Sequence, residues 1–484
     1  MTRGIPRSRA RPAALALSLS LALACASTPE VEPPVEVPPA FSTEGTQARS
    51  ERWWEDLHDP ALSSLVEDAL ADNLDLAIVW DRLAQARAIA RREGAALWPE
   101  VDADTGAGTT WLSDADASGD HRVDDFGLGL SLSWEIDLFG RLRATRDAAR
   151  YDAEASFEAV GAAAIALAGE VASQWYGFVE QTRQLRLLDE QIRTNEEVLT
   201  LVTIRFRAGQ SGAADVLRQR QLVEQRRGER EQVEARARVA AHALAVLLGR
   251  PPIGTALPAA ETLPEPGPVP ESGLPAELLA RRPDVRSAYL AVLATDRRLA
   301  AARADRYPRL SLSASSEFSD AELADVLDNW MAGLAASLVA PLIDGGRRRA
   351  EVDRTRAELS ERIRAYGRVV LGSLQEVEDA LVQERQQRRL IESLELQLKL
   401  ARQTLERLRD RYVKGATDYL DVLGALASQQ DLERSLVTAR RDLLEFRIAL
   451  HRALAGGFPL EAPALASLDA DAGTPASGSG GVTP

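Results

Sequence analysis

Two phrases, Arg205-Phe-Arg-Ala-Gly-Gln-Ser-Gly-Ala-Ala-Asp-Val-Leu217 and Arg411-Tyr-Val-Lys-Gly-Ala-Thr-Asp-Tyr-Leu-Asp-Val-Leu423, interrupt long helical stretches in the same way. Gly209 stands six residues before Asp215, and Gly415 six before Asp421. In both copies the Gly leads at the same distance into an Asp-Val-Leu. Each phrase therefore folds a long helix back on itself. Two matching hairpins imply an internally duplicated chain.

The helices on either side carry heptad seams. From Arg141 to about Phe206 there is no Pro and little Gly. Leu167, Val171, Gln174, Phe178, Gln181, Leu185, Leu188, Ile192, Asn195, Leu199, Val202 and Phe206 follow each other at alternating spacings of four and three. About 65 residues of helix at 1.5 Å each reach roughly 100 Å. Similar seams run through Val216, Val223, Val233 and Leu244, through Ile391, Leu398, Leu405 and Tyr412, and through Val422, Leu432, Ala439 and Leu450. A soluble coiled coil would explain these helices. It would not explain the segments that precede them.

Before each hairpin lies a shorter helical stretch and then a pair of alternating segments. In Phe126 to Leu138 the even positions are Phe126, Leu128, Leu130, Leu132, Trp134, Ile136 and Leu138, whereas the odd ones are Gly, Ser, Glu or Asp. Val101 to Trp111 is its expected partner across an acidic loop, Ser113 to Asp125. Leu310 to Phe318 and Trp330 to Ala340 repeat the device across a second loop, Ser319 to Asn329. Such strands either cover a protein core or face lipid. Three features favour lipid: a length of about ten residues, the near-terminal aromatics Trp98, Trp111, Phe126, Trp134, Phe318 and Trp330, and the absence of a second layer in an otherwise helical chain. A sheet in hydrocarbon must close, because each open-edge N–H or C=O costs several kcal/mol. Four strands are too few for a barrel, so several copies must share one. Counting strands does not choose between dimer, trimer and tetramer.

Composition narrows the class further. A chain of 484 residues with 45% apolar content is not wholesale disordered, and a net charge of −15 with interspersed Arg argues against a nucleic-acid partner. Cys25 is the single cysteine, so no internal disulfide can form. It follows Arg3, Arg7, Arg9, Arg11 and the apolar run Ala13 to Leu23, the layout of an export signal. Ala24-Cys25-Ala26 reads either as a lipoprotein acylation site at Cys25 or as an ordinary cleavage site. The expected order is an export signal over 1–24, a lipid-anchored tether over 25–52, a first repeat over 53–250, and a Pro-rich linker over 251–275. A second repeat over 276–457 and a disordered tail over 463–484 complete it.

The chain resembles the TolC family of outer membrane efflux proteins, particularly its lipoprotein, NodT-type branch. The resemblance rests on Trp53-Trp54 with Asp59-Pro60, Trp134-Glu-Ile-Asp-Leu-Phe-Gly140, Leu278-Leu-Ala-Arg-Arg-Pro-Asp284, Tyr307-Pro308, Pro341-Leu-Ile-Asp-Gly-Gly346 and both turn phrases. It implies an α+β membrane protein: a homotrimer whose twelve-stranded transmembrane β-barrel, four strands per chain, continues as a long periplasmic α-helical coiled-coil barrel. It also implies the outer membrane of a Gram-negative bacterium. The partners it implies are a periplasmic adaptor, an inner membrane transporter of RND type, and outer membrane lipid. The function implied is the passive exit duct of a tripartite efflux pump, gated at its periplasmic tip.

Asp421 falls on the family's ring-forming Asp, where carboxylates in a narrow pore attract cations. The other candidate tip residues are Asp215, Asp418, Arg411, Gly209 and Gly415. For the three acids the competing role is helix capping, and Asp418 fits that role best. Thr417 and Gly424 stand where some members carry Arg and a second Asp. No metalloprotease, phosphate-loop, nucleophile-elbow or dinucleotide motif is present, and no cofactor or metal is expected. The rival reading is a periplasmic coiled-coil adaptor or scaffold lipoprotein.

Overall fold

A computed structural model describes residues 33–46, 50–112, 121–259 and 262–454. The expected export signal over 1–24, Cys25 and the expected tail over 463–484 lie outside the described residues. In the first half a 3-10 helix (Trp53–Leu57) leads into α1 (Pro60–Asp72) and α2 (Leu74–Ala95). Then come β1 (Glu100–Leu112), β2 (His121–Ile136), α3 (Arg141–Arg207) and α4 (Ala213–Leu247). The second half repeats the order with α5 (Pro275–Arg281), α6 (Pro283–Ala304), β3 (Arg309–Asp320), β4 (Trp330–Val339), α7 (Arg347–Val413) and α8 (Tyr419–Leu454).

Where one short helix is expected before each strand pair, the structure has two. Asn73 is extended, and its side chain accepts from Leu76 N–H at 2.9 Å and donates to the Leu247 carbonyl at 2.9 Å. That ends α1 and caps α2. In the second half Pro283 holds Arg282 extended and then occupies the first turn of α6, where its missing N–H costs nothing.

All four strands form one antiparallel sheet in the order β1-β2-β3-β4. The β2–β3 pairing, with Leu132 opposite Ala314 and Trp134 opposite Leu312, joins the two halves. Asp124 and Asp125, expected in a loop, instead extend β2 opposite Thr109 and Gly108. Asp124 is compensated there by Thr109 at 2.5 Å and Arg122 at 2.9 Å. Leu138 falls beyond the strand. Opposed residues share a face, so Leu130, Ser316 and Ala332 stand on one side and Asp104, Gly129 and Glu317 on the other. The strands pack on one another, and no helix packs substantially on either face. Leu130, Trp330 and Leu334 are 48%, 67% and 85% exposed as a result.

The main core lies among the helices. Trp53, Trp54, Leu57 and Leu62 pack against Ala164, Ala168, Val171 and Trp175 of α3, joined by Leu244, Leu248, Leu444 and Ile448. Asp59 locks this joint, accepting from Ala61 N–H at 3.0 Å and from the Trp175 indole at 2.8 Å. The two tryptophans and Asp59-Pro60 are thus joints of the fold.

Two expectations change. The described part of the tether is docked and not free. Pro34 lies so near α7 that a Cβ on Gly367 would sit 2.7 Å from its Cγ. Ser42 N–H reaches Glu378 at 2.7 Å, Arg385 donates to Thr43 Oγ1 at 3.2 Å, and Thr46 N–H donates to the Val269 carbonyl at 2.9 Å. The seam of α3 also shifts: Gln184, Leu188, Gln191, Asn195 and Val202 are buried, whereas Leu185, Ile192 and Leu199 are half-buried and Phe206 is exposed. The reason is that α3 packs on both α4 and α8, and the α8 side is held by amides. Gln184 donates to the Arg434 carbonyl at 3.0 Å and Gln191 to the Gln430 carbonyl at 3.1 Å.

Candidate functional site

Both turns end their helices identically. Gly209 and Gly415 have φ of 72°, a left-handed conformation that strains any residue with a Cβ. In the first turn Gly209 N–H donates to Phe206 O at 2.9 Å and Gln210 N–H to Arg205 O at 2.8 Å. In the second, Gly415 N–H donates to Tyr412 O at 3.0 Å and Ala416 N–H to Arg411 O at 2.9 Å. This paired pattern satisfies the carbonyls that a helix C-terminus would leave open.

The acids divide after that common start. The Asp215 carboxylate accepts from Gly212 N–H at 3.2 Å and Ser211 Oγ at 3.0 Å, and it meets Arg218 at 3.5 Å. It is bound to the first turn of α4, as a cap. Asp421 accepts from Thr417 Oγ1 at 2.6 Å and is otherwise exposed. Asp418, expected to cap α8, is exposed and its carboxylate bonds to none of the described residues. Thr417, bonded to Asp421, spans that turn instead. Arg411 braces the turn by donating to the Ala416 carbonyl at 3.3 Å.

The structure brings the two tips together through residues the motifs did not single out. Val202, Leu405, Tyr412, Tyr419, Val422 and Leu426 form one buried cluster, with Val198 and Val216 against it. The Arg205 guanidinium lies 4.3 Å from the Tyr412 ring centre, a cation–π contact between hairpins. Tyr419 donates to Gln219 Oε1 at 2.6 Å, Gln219 to the Asn195 side chain at 3.1 Å, and Asn195 to Gln430 Oε1 at 3.1 Å. Burial pushes the Tyr419 hydroxyl above its ordinary range, so it remains a donor. A polar Asn195 within an apolar heptad seam was the signal for this network. Its partners are 24 and 235 positions away in the chain, which periodicity does not report.

At the other end, the sheet's apolar face and its polar face with Asp102, Asp104 and Glu317 are both open in one protomer. Asp137 and Asp344 join the sheet to the long helices by accepting from the first N–H groups of α3 and α7. Glu135 adds an ion pair to Arg141 at 2.8 Å. The arrangement can line a water-filled passage and present charge to it.

The family described as "Outer membrane efflux protein" matches residues 65–250 and 274–456. The chain is similar to the pyoverdine export outer membrane protein OpmQ of Pseudomonas aeruginosa, 33% identical over 438 residues and covering 86% of this chain and 90% of that one. Nodulation protein T of Rhizobium leguminosarum bv. trifolii is 26% identical over 446 residues, covering 90% and 95%. The solved outer-membrane channel OprN superimposes with a TM-score of 0.82 at 26% identity, covering 89% of this chain and 98% of that one. The fold is that of the trimeric TolC-like channels. A sheet open on both faces, joined to two long hairpins, together with these matches, places the chain in the outer membrane efflux protein family, in its NodT-type branch.

Proposed function

We propose that Asp421 lines the periplasmic gate of an outer membrane exit duct and that Cys25 carries a lipid anchor. The duct itself serves a tripartite efflux pump, with a periplasmic adaptor and an inner membrane transporter as partners. The finer reading assigns that transporter to the RND type. The single observation that carries the function is the uncovered sheet: an apolar face with Leu334 85% exposed is stable in lipid, and its two free edges require closure by further copies.

For the gate, Asp421 is favoured over Asp215 because its carboxylate is exposed and has one partner, Thr417, whereas Asp215 is occupied at the helix start. Asp418, exposed and unbonded, adds charge at the same turn. Arg411, Gly209 and Gly415 hold the turns in shape. Rings of such carboxylates favour cations in a narrow pore.

For the anchor, the direction of the docked segment matters. From Pro34 to Thr43 the chain runs along α7 from Gly367 toward Arg385, so Pro34 is the end of this segment nearer the start of α7. About 20 residues of helix separate Gly367 from that start, roughly 30 Å. Eight residues lie between Cys25 and Pro34, and nine chain steps reach at most about 30 Å, a length that suits a lipid at the membrane surface. The repeat boundaries at 53–250 and 276–457, with the linker between them, complete this reading.

The test is the native mass of full-length protein extracted from outer membranes in mild detergent. A detergent-dependent assembly of three chains is expected. A monomer released without detergent overturns the duct and favours a periplasmic adaptor.

A further inference from the structure

Midway along the long helices, the tether and the Pro-rich linker crowd one side only. On α7, Glu378 and Arg385 meet the tether at Ser42 and Thr43. On α8, Arg447 binds the linker carbonyl of Gly267, and His451 stacks on Trp53. Each residue turns a helix by about 100°, so residues two positions apart point about 160° away from each other. Glu376, Gln383 and Ala449 stand at that spacing from Glu378, Arg385 and Arg447, and they line one cavity of about 500 Å³. The rest of its wall comes from α3, α7, α8 and the start of α6, with nothing from tether or linker. In the duct this is the lumen side, because tether and linker occupy the other.

The two repeats build this joint differently. Asn73 donates to the Leu247 carbonyl at 2.9 Å, and Arg282, in the matching place, donates to the Ala453 carbonyl at 3.0 Å. Arg282 is neutralised by Asp284 at 2.6 Å and Glu376 at 2.8 Å, a closed set. Two further charges in the cavity are left over. Arg452 lies across Gly169, its stem filling the space that a Cβ there would take. Glycine weakens a helix interior, and here it clears α3 for this side chain. Arg452 is exposed and bonds to no described residue. Asp379 is exposed and is held by the Gln375 amide at 3.1 Å, with no cation beside it. Opposite charges thus line one cavity without pairing, together with Ala162, Ala166, Ala380 and Ala449. Counting from the turn glycines and the helix starts, the first repeat has Val246 and Ser173 in the places of Arg452 and Asp379. Each chain therefore carries one such niche.

We propose that this niche binds a small zwitterion with an apolar body. Arg452 takes its carboxylate, Asp379 its ammonium group, and the alanine wall its apolar part. The volume falls within the roughly 300–1,000 Å³ of small-molecule sites. A ligand bearing both charges pairs both side chains at once, so neither is desolvated without a partner. The lumenal position rests on the duct described above, whereas the niche itself is built within a single chain.

The test uses full-length protein in lipid nanodiscs, with leucyl-phenylalanine as the probe and saturation transfer to its phenyl protons as the NMR readout. Saturable binding to wild type is expected, weakened about tenfold or more by Arg452→Gln and by Asp379→Asn. N-acetylation of the dipeptide removes the ammonium group. It is expected to weaken binding to wild type and to Arg452→Gln, but not to Asp379→Asn. Absence of saturable binding to wild type, or equal binding by all three proteins, overturns the niche while a threefold native mass leaves the duct standing. A monomeric native mass with the expected pattern of binding removes the duct and leaves the niche.

Discussion

At the residue scale, the strongest constraints lie in buried polar groups that no apolar pattern would place. Arg447 and Glu384, 1% and 2% exposed, form a bidentate pair at 2.6 and 2.9 Å. Arg447 also donates to the linker carbonyls of Gly267 and Pro268 at 3.0 and 2.9 Å. This ties α7, α8 and the Pro-rich linker together. Glu384→Ala leaves a guanidinium buried without its counter-charge, and a loss of about 3–5 kcal/mol is expected. A thermal midpoint unchanged from wild type would contradict it.

His451, stacked on Trp53 at 5.3 Å, is pushed down to about 3 by burial and then by the neighbouring charge of Arg447. The folded state therefore holds it neutral, while the unfolded state takes up a proton below about 6.5. Its contribution is fully present above that pH and is lost progressively as pH falls toward 3, by at most about 1.4 kcal/mol per unit. His451→Phe is expected to flatten this component. Thermal midpoints of both proteins at about pH 7.5 and pH 5 check it, and parallel declines would count against it.

At the element scale, the two faces of β2 face different media. Leu130 belongs to the apolar face and Ser131 to the polar one, opposite Asp102 and Ser315. Leu130→Arg is expected to cost about 2–4 kcal/mol near the bilayer midplane, and Ser131→Arg little. The yield of folded assembly in outer membranes separates them, and equal yields would mean the strand does not cross lipid. Alternation made these faces legible from the sequence, because strand side chains repeat every second residue whatever lies around them. The α3 seam was less legible. Gln184 and Gln191 hold the line that Leu185 and Ile192 were expected to hold, since a buried amide is satisfied there by its bond to a carbonyl and carries no hydrophobic signal.

At the scale of the whole molecule, every change is repeated around the assembly. On the gate role proposed for Asp421, Asp421→Asn takes one carboxylate from each copy, and a smaller reversal potential is expected in a salt gradient across a planar bilayer. Unchanged cation preference would move the selective ring elsewhere. Asp215→Asn is expected to act through helix stability, because its carboxylate is already engaged by Gly212 and Ser211.

The sequence by itself determined the duplication, the paired turns, the four alternating strands and the need for more than one chain. All of these follow from local periodicity, glycine conformation and the hydrogen-bonding demand of a sheet edge. Tertiary structure decided which acid caps a helix and which stays free, how β2 and β3 join the repeats, where the tether docks, and how Tyr419, Gln219, Asn195 and Gln430 bind the two tips. Those outcomes depend on partners far apart in the chain, and only packing brings them within bonding distance.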